Sequence, residues 1–99
     1  MKNLTIKNLT EVCSGTYHGP ENVMDREVSS ITTDSRKIEK DSLFVPIVGE
    51  RVDAHRFIPD VMSKGALVAL SERELENADF PYIQVGSSLQ AVKDIAEFI

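Results

Sequence analysis

The sequence predicts an α/β domain built on a small mixed β-sheet flanked by helices. Three features carry that prediction. Residues 43–48 and 66–70 are continuous apolar runs of strand length, the pattern of strands buried on both faces. Between them Phe57, Ile58, Val61 and Met62 recur at helical spacing, so a helix joins the two strands. Beyond them Leu89, Val92, Ile95, Ala96 and Ile99 fall on one stripe of a closing helix.

Each element has its own local signals. Residues 5–15 read as a short helix, with Ile6, Leu9 and Val12 or Cys13 on one side, Thr5 as cap and Gly15 as stop. The stretch "GTYHGPEN" is turn chemistry. Residues 28–33 are β-branched and half-alternating, hence a strand. Pro46 cannot donate to a ladder, which puts the 43–48 strand at an edge or gives it a bulge. Pro59 fits the first turn of the second helix, which ends at Lys64-Gly65. "SERELENADFP" is a polar loop with room for one helical turn, and residues 82–85 make a short strand. Ser87 or Ser88 caps the last helix. No stop signal follows Ile99, so the expectation is a fragment cut from a longer polypeptide at a domain boundary.

Composition narrows the function classes. Ninety-nine residues have room for one domain with one modest core. A net charge of −5 argues against nucleic-acid binding, which calls for a basic face. No apolar run approaches the roughly 20 residues that cross a bilayer. The N-terminus "MKNLTIKNLTEVCSG" lacks the apolar core of a signal peptide. Cys13 stands alone, so no internal disulfide forms, and a reducing, cytoplasmic setting is expected. Against this acidic background Arg36, Lys37, Arg51, His55 and Arg56 cluster within about twenty residues, a local reversal of charge that suits a small anionic ligand.

The common catalytic patterns are missing from the sequence. There is no G-x-x-x-x-G-K-[ST] and no G-x-G-x-x-G, hence no phosphate-cradling loop for ATP. Cys13, His18 and His55 have no metal-ligand spacing. Two strand ends remain as candidates. Asp34-Ser35-Arg36 follows the 28–33 strand, offering a hydroxyl and a guanidinium fork where α/β sheets usually meet ligands. The bland alternative is that Asp34 caps a turn and Arg36 pairs with Asp34, Glu39 or Asp41. Gly49-Glu50-Arg51 follows the next strand, and Asp53 and His55 precede the second helix. Here the bland alternative makes Asp53 a helix cap and His55 a surface imidazole.

Taken together, "ITTDSRKIEKDSLFVPIVGERVDAHRFIPDVMSKGA" resembles the N-terminal domain of the Mur ligases. The signature is D-S-R, a short linker, L-F-V, then G-E-R, D-x-H, F-I and a helix closing on K-G-A. Within the family the sequence is most similar to the pair that adds the third amino acid, then D-alanyl-D-alanine, to the peptidoglycan precursor. The opening "LTIKNLTEVCSG" looks more like the D-alanyl-D-alanine-adding enzymes.

The resemblance implies a UDP-binding domain that holds the UDP portion of a UDP-N-acetylmuramoyl-peptide. Its implied contacts are Ser35 above all, backbone groups of Thr33, and the segment Glu50, Arg51 and Val52. Arg36 and His55 belong to the signature, where their role can be structural. ATP, Mg2+ and the forming peptide bond belong to central and C-terminal domains absent from this sequence, so it is expected to bind without catalysing. Three departures bear on loop geometry. Glu39-Lys40-Asp41-Ser42 stands where P-G-D is usual, Asp53-Ala54-His55 replaces D-G-H, and Pro46 replaces a small apolar residue. A reading from another class is a docking module exposing Leu89, Val92 and Ile99 to a partner protein.

Overall fold

In the computed structural model, which describes residues 2–99, Thr5 does cap the first helix: its side chain accepts from the Asn8 N–H at 3.0 Å. Helix α1 covers Ile6–Val12 and buries Ile6 and Leu9. It stops through Ser14, which adopts the left-handed conformation (φ 52°) expected of Gly15. Gly15 instead answers to a close approach: a Cβ there would lie 2.8 Å from the Gln84 carbonyl oxygen.

Five strands follow: β1 (Thr16–His18), β2 (Ile31–Thr32), β3 (Leu43–Phe44), β4 (Val68–Ser71) and β5 (Tyr82–Gln84). They form one sheet in the order β1-β5-β4-β3-β2, with β2 to β5 mutually parallel and β1 antiparallel on the edge. This is the mixed α/β sheet expected. Helix α2 (Ile58–Ser63), entered through a short 3-10 turn at Ala54–Phe57, carries β3 over to β4, and α3 (Ser88–Phe98) follows β5.

Strand residues point alternately to the two faces, and the core splits accordingly. Leu43, Val45, Val68, Leu70 and Ile83 pack on α1 and α3 through Ile6, Leu9, Ala91 and Ile95. On the other face Phe44 and Ala69 meet Ile58 and Val61 of α2. Phe44 is fully buried, a gain of roughly 1.5–3 kcal/mol over exposure. Continuous apolar runs in β3 and β4 thus serve two half-cores, as buried parallel strands require.

Several local expectations are corrected. "GTYHGPEN" opens with a strand, because Thr16 and Tyr17 favour extended backbone and β5 offers an unpaired edge. His18 stacks on Tyr82 there, with ring centroids 4.5 Å apart. The 28–33 strand shortens to Ile31–Thr32, since Val28 is tied to the segment before α1 by its N–H to the Leu4 carbonyl. The strand expected over 43–48 is not an edge and does not reach Pro46: β3 sits inside the sheet and ends at Phe44, before the proline. The 71–81 loop has no helical turn; it reverses at Asn77 (φ 57°) and is pinned by the Leu75 N–H on the Tyr82 hydroxyl. On α3 the buried face is Ser88, Ala91 and Ile95 with Val92 partly covered, whereas Leu89, Ala96 and Ile99 are exposed.

One departure from the P-G-D pattern is resolved by geometry. Asp41, at the glycine position, adopts φ 64°, which aspartate tolerates better than most residues. Its carboxylate is held by Arg26 at 2.9 Å, and its N–H donates to the Gly65 carbonyl. Ala54, in the D-x-H turn, keeps an ordinary φ, so that turn needs no glycine.

Candidate functional site

Because β2 to β5 are parallel, four chain segments leave the same edge of the sheet: the 33–36 turn, the 45–53 loop, residues 72–73, and 85–87 leading into α3. Such an edge is where open α/β sheets present ligand-contacting groups.

The 33–36 turn is built by its own side chains. Thr32 Oγ1 accepts from the Asp34 N–H (3.0 Å), and Asp34 Oδ1 from the Arg36 N–H (2.9 Å). The Arg36 guanidinium grips both Asp34 oxygens, Nε at 3.1 Å and Nη2 at 3.2 Å. That hydrogen-bonded pairing lowers the Asp34 pKa and raises that of Arg36. The bland expectation for Arg36 is therefore the observed one. Thr33 is exposed and Ser35 half-buried at the turn.

The 45–53 loop narrows to a hairpin. Gly49 N–H donates to the Val52 carbonyl at 2.9 Å, Val48 bridges to Asp53, and Ala54 N–H reaches back to the Ile47 carbonyl. Glu50 and Arg51 form the exposed tip between exposed Val48 and Val52. Arg51 has no ion-pair partner among the described residues.

Asp53 caps the Ala54–Phe57 turn by accepting from the His55 N–H at 2.9 Å. The same oxygen accepts from His55 Nδ1 at 2.7 Å, and the other oxygen is held by Arg73 Nη2. The backbone bond from His55 and the Arg73 contact hold the Asp53 carboxyl well below the usual carboxylate range. His55 is buried, not a surface imidazole. Its Nε2 accepts from the Glu72 N–H at 2.8 Å, so the ring proton sits on Nδ1 and both ring nitrogens are engaged within the chain. Glu72 Oε2 in turn accepts from the Ser88 N–H at 2.7 Å, joining the end of β4 to the start of α3.

Arg51, Val52, Asp53, His55, Arg56, Arg73 and Leu75 line one groove of about 410 Å³. Three of the expected residues, Arg51, Val52 and His55, therefore come together, while Thr33, Ser35, Arg36 and Glu50 are not among the residues that line the groove. Arg73 was missed because it lies in a stretch that reads as a polar loop. The signal was available: it is the second residue after a buried strand, the same strand-end logic that picked out Ser35. A larger hollow of about 470 Å³ lies alongside, sharing His55, Arg56 and Leu75 but otherwise walled by the start of α2 and the 74–80 loop.

The family model described as "Mur ligase family, catalytic domain" matches residues 27–98. The chain belongs to the Mur ligase family. Among its relatives is the UDP-N-acetylmuramoyl-tripeptide–D-alanyl-D-alanine ligase of Bacillus subtilis (strain 168), 32% identical over 94% of this chain and 21% of the relative. Another is the UDP-N-acetylmuramoyl-L-alanyl-D-glutamate–2,6-diaminopimelate ligase of Cytophaga hutchinsonii, 44% identical over 73% of this chain and 15% of the relative. A crystal structure of MurF from Acinetobacter baumannii superposes with a TM-score of 0.84 and 29% identity, covering 96% of this chain and 20% of that one. The fold is that of the Mur ligase N-terminal domain, and the chain spans about a fifth or less of the length of these relatives. Although the family label speaks of a catalytic domain, this Mur ligase chain has no glycine-rich loop of the kind that cradles ATP phosphates.

Proposed function

We propose that this chain is the UDP-recognising domain of an ATP-dependent ligase that adds D-alanyl-D-alanine to UDP-N-acetylmuramoyl-tripeptide. The observation carrying that choice is coverage. The D-alanyl-D-alanine ligase of Bacillus subtilis aligns with 94% of this chain, the diaminopimelate ligase of Cytophaga hutchinsonii with 73%. A second reading, a ligase adding the third peptide residue, is favoured by the higher identity of that shorter alignment, 44% against 32%.

On this reading the domain binds and does not catalyse. Ser35 supplies a hydroxyl, Thr33 and the 50–52 hairpin supply backbone N–H groups, and Arg51 supplies positive charge toward the diphosphate. Arg36 acts indirectly, by fixing the turn that presents Ser35, and His55 by fixing the start of the 3-10 turn. ATP and Mg2+ would act elsewhere in a longer cytoplasmic protein, in central and C-terminal domains, since this sequence has no glycine-rich loop of the kind that cradles ATP phosphates. No helix among the described residues is long and apolar enough to cross a membrane. The exposed Leu89, Phe98 and Ile99 on α3 suit contact with such a neighbouring domain as well as a separate partner protein.

An amide-NMR titration with UDP, with ATP as control, tests the reading. Shifts in residues 33–36 and 49–56 with UDP preferred, lost in Ser35→Ala and Arg51→Ala, support it. Silence at millimolar UDP removes the nucleotide site and leaves the docking role.

A further inference from the structure

We propose that Arg73 is a second cation for the ligand's diphosphate, acting from the end of β4 while Arg51 acts from the hairpin. The inference rests on the reading above, that the crevice takes a nucleoside diphosphate, and it names a residue that lies beyond the D-S-R to K-G-A stretch on which the resemblance was read.

The geometry holds Arg73 in place twice. Ser71, fully buried at the end of β4, clamps its backbone: Ser71 Oγ donates to the Arg73 carbonyl (2.6 Å) and accepts from the Arg73 N–H (3.2 Å). Asp53 then holds the side chain through Nη2. A guanidinium carries five N–H donors, and this contact uses one of them. The Arg73 side chain is 56% exposed, so the rest of its fork is open to the groove and solvent. Asp53 itself is fixed by two donors from His55, so it orients Arg73 without following it.

Charge points the same way. Among the seven groove residues named above are three guanidinium groups and one carboxylate, in a chain whose net charge is −5. Arg56 spreads its guanidinium over the Phe57 ring at 5.2 Å, which leaves Arg51 and Arg73 as the cations best able to turn to a ligand. Two cations on separate segments match two linked phosphoryl groups better than one phosphate or none. Arginine forks suit phosphate oxygens in bidentate fashion. The bland alternative is that Asp53 and Arg73 form only a surface ion pair, which would contribute little.

The test is titration of this 99-residue chain with UDP, UMP and uridine, in wild type, Arg73→Gln and Arg73→Lys, with amide spectra checking the fold. Loss of a charge-assisted bond in an open groove weakens UDP binding by about tenfold and leaves uridine within about twofold. Arg73→Lys recovers part of the loss, because it keeps the charge and drops the fork. Wild-type UDP binding with no change in Arg73→Gln overturns this inference and leaves the nucleotide reading standing. Equal loss of UDP and uridine also overturns it, since that is the mark of general damage. Failure of the wild type to bind UDP removes both.

Discussion

Replacing His55 by asparagine and by glutamine separates the two hydrogen bonds of one ring. Asparagine places an N–H near the Nδ1 position and keeps the bond to Asp53, but nothing then accepts from Glu72. Glutamine carries an oxygen near the Nε2 position and keeps the Glu72 bond, but gives up the Nδ1–H···Asp53 contact. The two losses are unequal. Asp53 is half-exposed and retains the backbone N–H of residue 55 and Arg73, so water readily fills the vacancy. The Glu72 N–H donates to a ring whose side chain is only 3% exposed, and it has no such recourse.

Leaving that donor unpaired costs about 2 kcal/mol, and the smaller asparagine adds about 1 kcal/mol of lost packing. His55→Gln should cost about 1 kcal/mol in all. At about 4–8 °C per kcal/mol for a domain of this size, Tm falls by about 12–24 °C in His55→Asn and about 4–8 °C in His55→Gln. Thermal unfolding by circular dichroism gives the ranking, and hydrogen exchange gives the cause. The Glu72 amide should lose protection in His55→Asn and keep it in His55→Gln. If asparagine is tolerated as well as glutamine, the Nδ1–H tautomer and the role given to Nε2 are wrong.

Two further outcomes test the packing. Burial, reinforced by nearby Asp94, pushes the Cys13 thiol up from 9.0 to about 11. At pH 8 its reactive thiolate is thus about 100-fold scarcer than in the unfolded chain, and iodoacetamide should label Cys13 only after urea is added. Because the folded pKa is the higher one, its contribution to stability is complete below pH 9 and drains away toward pH 11. The urea midpoint should fall over that window, more steeply than in Cys13→Ala; equal slopes would show that Cys13 is not the titrating group. Gly15→Ala puts a methyl 2.6 Å from Ile83 Cγ2 and 2.8 Å from the Gln84 carbonyl oxygen, so β5 must move. A loss of about 2 kcal/mol in urea unfolding is expected, and an unchanged midpoint would mean that Gly15 does not press on β5.

The parts legible in the sequence are those fixed by strong local signals. Thr5, Ser87, Pro59 and Gly65 do what their chemistry predicts at helix ends, and the two apolar runs mark the central strands. What could not be read depended on partners. The β1 strand exists because β5 presents an edge to it, and β3 stops at Phe44 although the apolar run goes on. On α3 the stripe read from the sequence included Leu89 and Ile99, but the residues buried are Ser88, Ala91 and Ile95, the last two in the core that α1 shares. At the site, Asp34-Ser35-Arg36 and the hairpin were visible as motifs; Arg73 stands at a strand end that the sequence also marks, but its pairing with Asp53 depends on where β4 ends in space.

That last point reverses the apparent weight of the cations. Arg36 stands out in the sequence, yet Asp34 neutralises it within its own turn and 86% of its side chain faces solvent. Its contribution is to the shape of the 33–36 turn. Arg51 lacks an ion-pair partner among the described residues, and Arg73 shares only one donor with Asp53. In a chain of net charge −5, a ligand with two negative phosphoryl groups is disfavoured at long range. Salt screens that field beyond about 8 Å at physiological ionic strength, so the groove's own charges decide the outcome. On the proposed reading, an acidic surface with a few unspent guanidinium groups at one strand edge would reject polyanions broadly while leaving a place for a small one. Binding there would strengthen as salt falls, but with a shallow slope, because two cations act and not a basic face.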